Sequence, residues 1–149
     1  MLSVVLVRPK HPGNIGAIAR LLANFNIAQL YLINPQCEIT QESKNRAKNA
    51  QDILNNTKTI QPADLKQFDL VVGTTAQIGK DANVRRSPLH VREWAKSRNS
   101  KSNITLLFGN EGTGLTNNEI ELCDVLITVP TSRSYHALNL SHAVAITLY

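Results

Sequence analysis

Along the chain, short β-branched runs alternate with stretches whose apolar residues recur at helical spacing. Leu2–Val7 reads as a first strand, ended by Arg8-Pro9. From Gly13 to about Asn26, Ile15, Ile18, Ala19, Leu22, Ala23 and Phe25 recur with helical period. Gln29–Ile33 is a second strand, closed by Asn34-Pro35, and a weak stripe (Ala47, Ala50, Ile53, Leu54) predicts a helical stretch between Glu42 and Asn55. Thr57–Ile60 reads as a short strand and Pro62–Gln67 as a short helix with proline in its first turn. Asp69–Thr74 and Asn103–Phe108 are stronger strands, with a helix from Pro88 to about Ser97 between them. Thr116-Asn117-Asn118-Glu119 has capping-box spacing and predicts a helix to about Leu122. Val125–Val129 is a strand stopped by Pro130. Asn139 or Ser141 caps a last helix, in which Leu140, Val144 and Leu148 share a face.

This alternation predicts an α/β fold: a mainly parallel sheet with helices on both faces. Ligands of such sheets bind beyond the carboxyl ends of the strands. Gly13 and Gly16 follow the first strand, Gly73 ends the 69–74 strand, and Gly109, Gly112 and Gly114 follow the 103–108 strand. These six glycines predict a pocket lined by backbone.

Composition narrows the class. At 149 residues with 42% hydrophobic and 18% charged positions, the chain reads as one globular domain, residues 1–149, with enough core to need no disulfide or metal staple. No apolar run is long enough to span a bilayer, and the opening residues lack a basic leader and a cleavage site. Cys37 and Cys123 lie far apart without metal-ligand spacing and are expected to be buried free thiols, as in the cytoplasm. The last helix looks unfinished at Tyr149: either the protein stops abruptly, or this chain is a piece of a longer one that lacks its C-terminal extension.

Net charge is +5, and the stretch 80–101 carries that same excess by itself: Lys80, Arg85, Arg86, Arg92, Lys96, Arg98 and Lys101 against Asp81 and Glu93. On charge alone this is either a solvated face or a surface for nucleic-acid phosphates.

Several chemistries fail on their defining residues. The turn after the first strand, Arg8-Pro9-Lys10-His11-Pro12-Gly13-Asn14-Ile15-Gly16, does not fit a dinucleotide fingerprint. Gly109-Asn110-Glu111-Gly112-Thr113-Gly114-Leu115 lacks the lysine of a P-loop. The histidines His11, His90, His136 and His142 show no metal spacing, and no Ser-His-Asp set assembles.

Three polar, glycine-bearing segments remain. His11-Pro12-Gly13-Asn14-Ile15-Gly16-Ala17-Ile18-Ala19-Arg20 resembles the first motif of the SPOUT RNA 2′-O-ribose methyltransferases. Phe108-Gly109-Asn110-Glu111-Gly112-Thr113-Gly114-Leu115 resembles the second. Val129-Pro130 followed by Ala137-Leu138-Asn139-Leu140-Ser141-His142-Ala143-Val144-Ala145 resembles the third. The three stand in order and cover essentially the whole chain. Pro12 to Ala17 and Gly73-Thr74-Thr75-Ala76 look most like the TrmJ branch, which methylates the ribose of nucleotide 32 in the tRNA anticodon loop.

The resemblance implies S-adenosylmethionine as methyl donor, a tRNA substrate, a homodimer whose sites are completed near the subunit interface, and a deep C-terminal trefoil knot. It places the cofactor on Thr74, Thr75, Ala76, Gly109, Val129, His136, Ala137 and Leu138. It makes Arg20 the catalytic arginine, supported by Asn14, Glu111 and Asn139, and turns the basic stretch with Arg85, Arg86 and Arg92 into an expected RNA surface. Relatives commonly have serine where this chain has Ala137, which leaves Ser134, Tyr135 or His136 as candidates for that hydroxyl's role. Because a guanidinium stays protonated, Arg20 is better cast as a cation for the phosphate and forming alkoxide than as a base. The general base stays open. Asn14 and Asn139 fit helix caps as well as RNA contacts. The same chemistry on ribosomal RNA or on the wobble ribose is the alternative, as is an RNA-binding relic without transfer.

Overall fold

The β-branched runs form strands β1 (Leu2–Val7), β2 (Leu30–Ile33), β3 (Lys58–Thr59), β4 (Leu70–Thr74), β5 (Leu89–His90), β6 (Ile104–Phe108) and β7 (Val125–Thr128) in the computed structural model. It describes residues 1–76, 87–97, 102–132 and 134–149. The strands make one sheet, ordered β3-β2-β1-β6-β4-β7-β5. Every pairing is parallel. The fold is α/β, as expected, and the neighbouring centre strands β1 and β6 explain why Leu2–Val7 and Ile104–Phe108 are nearly unbroken apolar runs: both faces of each are covered.

Helices α1 (Pro12–Asn24), α2 (Gln41–Ala47), α3 (Gln51–Asn55), α4 (Val91–Ser97), α5 (Asn117–Ile120) and α6 (Leu140–Leu148) cover the sheet, with a 3-10 turn at Pro62–Gln67. On one face, Val4, Leu6, Leu106 and Phe108 pack against Ile15, Ile18 and Leu22 of α1, Trp94 of α4 and Val144 of α6. On the other, Val5, Val7, Val71, Leu107 and Leu126 meet Leu65 of the 3-10 turn, Cys123 and the α5 residue Ile120. Alternate residues of one strand thus feed two cores, the period-2 rule of a covered sheet.

Four expectations need correction. The stretch 42–55 is two helices, because the chain turns at Lys48 with φ 53°. The helix expected from Pro88 begins at Val91, since Leu89 and His90 pair with Ile127 and Thr128 as an edge strand. Cys123 is buried, but Cys37 is only half-buried; burial first and the Glu111 charge second push its thiol up. The glycines also divide. A Cβ at Gly16 would overlap the Ser43 carbonyl, and one at Gly73 would lie 2.6 Å from Cys123 Sγ. Gly13, where a Cβ would lie 2.5 Å from Glu42 Oε1, and Gly16 therefore serve α1–α2 contact and Gly73 sheet packing, leaving Gly109, Gly112 and Gly114 for the pocket.

Asn139 caps α6, its Oδ1 accepting from Ser141 N at 2.9 Å. Leu140 and Val144 are buried on the shared face, and Leu148 packs against the same core. Among the described residues no helix is long and apolar enough to cross a membrane.

Candidate active site

Beyond the carboxyl ends of β4, β6 and β7 lies a cavity of about 510 Å³, a size typical of small-molecule sites. Thr74, Thr75 and Ala76 enter from β4, Phe108 to Leu115 from β6, and Val129 from β7. Leu140, Ala143 and Thr147 of α6 close it. Thr75 N donates to Ile127 O at 3.0 Å and Thr74 Oγ1 to Leu107 O at 3.1 Å, which ties the β4 exit to both neighbours. The loop carrying His136 is folded on itself: Thr131 Oγ1 donates to His136 O at 3.0 Å, and Tyr135 N to Ser132 Oγ at 3.0 Å. All eight residues expected at a cofactor site, Thr74, Thr75, Ala76, Gly109, Val129, His136, Ala137 and Leu138, line this one cavity.

The loop after β6 is locked to the segment after β1. Helix α1 has no side-chain cap of its own and no acid in its first turn, so its first N–H groups need a partner from elsewhere. Glu111 instead ties down the two residues that lead into the helix. Its carboxylate accepts from Lys10 N at 3.0 Å, His11 N at 3.3 Å and Asn14 Nδ2 at 3.0 Å. Burial pushes the Glu111 carboxyl up, but the Asn14 side chain and the backbone N–H groups of Lys10, Glu111 and His11 outweigh it and hold the group below the usual carboxylate range. Asn14 and Glu111 therefore act as a pair that orders the cavity rim.

A second lock was not visible in the sequence. Buried Asn110 donates to Arg8 O at 2.7 Å and accepts from Gly112 N at 2.8 Å and Thr113 N at 3.3 Å. Arg8 Nε and Nη2 reach Glu119 Oε1 and Oε2 at 2.7 and 2.9 Å, and Nη2 also donates to Gly114 O at 3.0 Å. Hydrogen bonding to Glu119 raises the Arg8 pKa, although burial lowers it. For Glu119 burial acts upward, and the bonds from Arg8 and Thr116 bring the carboxyl below its ordinary value. Thr116–Glu119 was legible as a capping box, and Thr116 Oγ1 does accept from Glu119 N. That the same carboxylate also binds an arginine more than a hundred residues away had no local signal.

Arg20 lies elsewhere. It is exposed on α1 and lines a separate groove of about 650 Å³ with Ser141 and His142. The groove takes Ser141, His142 and Ala145 of α6, whereas the cavity takes Leu140, Ala143 and Thr147. One chain therefore keeps Arg20 and the cavity on different faces of α6. Asn139 caps α6 and lines neither the cavity nor the groove. Of the expected RNA surface, Arg92 is exposed on α4, and Arg85 and Arg86 lie outside the described residues. No cluster of His, Cys, Asp or Glu suited to a metal occurs among the described residues.

Comparison with known proteins places this geometry. The SpoU rRNA Methylase family matches residues 1–149. A tRNA (cytidine-2′-O-)-methyltransferase TrmJ from Methanocaldococcus jannaschii is 41% identical over the whole chain, which covers 66% of that relative. The crystal structure of TrmJ from Z. mobilis superposes with a TM-score of 0.89 at 27% identity, over 100% of this chain and 67% of that one. The SpoU methyltransferase AviRb from Streptomyces viridochromogenes in complex with AdoMet shares the fold, with a TM-score of 0.76 at 23% identity over 100% of this chain and 56% of that one. The chain spans about 58–66% of the length of the curated relatives it matches.

Proposed function

The chain belongs to the SpoU rRNA methylase family, and we propose that it is the catalytic domain of an S-adenosylmethionine-dependent tRNA ribose 2′-O-methyltransferase acting at nucleotide 32 of the anticodon loop. The single observation that carries the reading is the convergence on one cavity of all eight residues assigned to the cofactor from separate motifs. The similarity to TrmJ proteins over the full chain supports tRNA as the substrate. The AdoMet complex of a protein of the same fold supports the donor.

The cavity fits such a donor in chemistry. Leu115, Ile120, Leu126, Ile127 and Leu138 give it apolar wall, while the Gly109–Gly114 loop and Thr74–Ala76 bring backbone close enough to hold polar edges. A Cβ at Gly109 would overlap Gly114 and Leu115, so the loop packs there only around a residue without a side chain. When bound, the cofactor supplies an electrophilic methyl group on a sulfonium.

This chain's residues do the positioning. Glu111 and Asn14 fix the rim, and Arg8 with Glu119 fixes its far side. Arg20 holds the phosphate beside the target ribose while stabilising charge that develops on the 2′-oxygen. Because Arg20 and the cavity face different sides of α6, the proposal includes a homodimer in which the Arg20 groove of one protomer meets the cavity of its partner. Exposed Ile146 and Tyr149 on and after α6 give that contact an apolar edge. A trefoil knot in the C-terminal segment and a cytoplasmic location are parts of the same proposal. Support for the knot is that His136, Ala137, Leu138, Leu140, Ala143 and Thr147 line the same cavity as the loops after β4 and β6.

The test is methyl transfer to tRNA with the modified position mapped, in the native protein and in Arg20→Ala. The native chain methylates the ribose at position 32, and Arg20→Ala loses transfer while keeping cofactor affinity within about threefold. Activity that survives Arg20→Ala overturns the role given to that residue.

A further inference from the structure

The groove between α1, α2 and α6 holds more positive charge than one catalytic arginine explains. The cations Arg20, Arg46 and Lys48 line it, and no Asp or Glu does. Among the described residues, the Arg20, Lys48 and His142 side chains have no hydrogen-bond or ion-pair partner. Arg46 has only its helix neighbour Glu42, at 3.7 Å between atoms of two exposed side chains. Such a pair contributes little.

The convergence is built by the fold. Gly16, lacking a Cβ, lets α2 rest its Ser43 carbonyl against α1. Ser43 Oγ then donates to Pro12 O at 2.8 Å, fixing the two helices together and setting Arg46 and Lys48 beside Arg20.

Lys48 is the telling position. Ala50 N bonds Ala47 O at 3.0 Å, closing a turn in which Lys48 comes first of the two central residues. Its φ of 53° and ψ of −118° are those of a type II′ turn, where glycine is the favoured residue. The backbone alone calls for glycine, and a cation stands there instead. Strain of this kind is characteristic of functional positions.

We propose that this groove is a binding site for the phosphodiester backbone of the RNA substrate, in which Arg46 and Lys48 extend the grip of Arg20 along the strand. The proposal rests on the RNA methyltransferase reading for the identity of the RNA and on the groove for the residues. Arg46 and Lys48 bind substrate here and take no part in the transfer step.

The test measures binding of an anticodon stem-loop RNA by fluorescence anisotropy across a salt series from about 50 to 200 mM, for the native protein and the Arg46→Ala/Lys48→Ala double variant. Two lost phosphate contacts weaken binding roughly tenfold and flatten the slope of log K against log salt by about 1.4–1.8. Calorimetric affinity for S-adenosylmethionine stays within about twofold, because neither residue lines the cavity. The charge-keeping exchange Arg46→Lys/Lys48→Arg restores the slope. Lys48→Gly separates binding from folding: relief of the turn raises the melting temperature by about 2–4 °C, while RNA affinity falls.

An unchanged salt slope in the double variant overturns the proposal. So does RNA affinity that stays intact in the double variant, whether or not sedimentation changes. Failure of the native protein to bind S-adenosylmethionine counts against the proposed function and leaves the slope comparison to be read by itself.

Discussion

Gly109→Ala is the sharpest perturbation of the cavity wall. The added methyl carbon would overlap the carbonyl carbon of Gly114 and the nitrogen of Leu115, and lie 2.5 Å from Gly114 O. Non-bonded heavy atoms rest near 3.5 Å, so the returning strand of the loop must retreat by about 1.4 Å. It cannot do so freely, because Gly114 N is bonded to Asn110 O at 2.8 Å and Gly114 O to Arg8 at 3.0 Å. Overpacking against fixed backbone costs about 1–3 kcal/mol, which lowers the melting temperature by roughly 2–4 °C for each kcal/mol. The displaced wall also weakens S-adenosylmethionine binding by about ten- to a hundredfold, each factor of ten being about 1.4 kcal/mol. The same loop contains its own control. A Cβ at Gly112 meets only Asn110 Oδ1 at 3.4 Å and Lys10 Nζ at 3.9 Å, so Gly112→Ala stays within about 0.5 kcal/mol of native. Gly114→Ala falls between them: its Cβ has open space, but its φ of +66° strains an alanine by about 1 kcal/mol. Thermal melts and calorimetric titration of the three variants give the order Gly109, Gly114, Gly112. Equal effects at Gly109 and Gly112 would refute the packing argument.

Other outcomes follow from the same contacts. Glu111 and Glu119 both ionise more readily when folded. Their stabilisation is therefore complete above the ordinary carboxylate pKa of about 4.3 and is lost as pH falls through the lower folded values. Urea midpoints from pH 7 to pH 3 should show that decline, and Glu119→Gln should flatten it while costing about 1–3 kcal/mol at pH 7; an unaltered pH slope contradicts the Arg8–Glu119 assignment. Asn139→Ala removes the α6 cap and costs about 1 kcal/mol in chemical denaturation, whereas Asn139→Asp keeps most of it; parity between the two variants argues against capping. Thr105 Oγ1 is buried with no partner among the described residues, so Thr105→Val is neutral or stabilising by up to about 1 kcal/mol, and a clear loss of stability would reveal an unrecognised bond.

Strands were legible because β1 and β6 bury both faces and must be apolar throughout, and because Pro9, Pro35 and Pro130 follow strands β1, β2 and β7. The capping residues Thr116 and Asn139 were legible because a cap is a local event. The break at Lys48 was not: a lysine carries no sign of positive φ, and the stripe Ala47, Ala50, Ile53, Leu54 is consistent with one helix. The edge strand Leu89–His90 exists only because β7 offers it a free side, which is a fact of topology. Glycine counting pointed to the right end of the sheet but overstated the pocket, since an absent Cβ serves helix packing at Gly16 as well as a cradle at Gly109. The site itself came from motif resemblance. Its interlocks, Glu111 with the start of α1 and Arg8 with Glu119, join segments about a hundred residues apart and needed the fold to be seen.

The cavity beyond β4, β6 and β7 is proposed as a cofactor site. Calorimetric titration of the 149-residue chain with S-adenosylmethionine and S-adenosylhomocysteine, with ATP and NAD as controls, tests it without depending on a complete RNA surface. Saturable binding of both sulfur compounds, at one per chain, and of neither control is the expected result. A folded protein that binds neither sulfur compound, or binds ATP equally well, would contradict it.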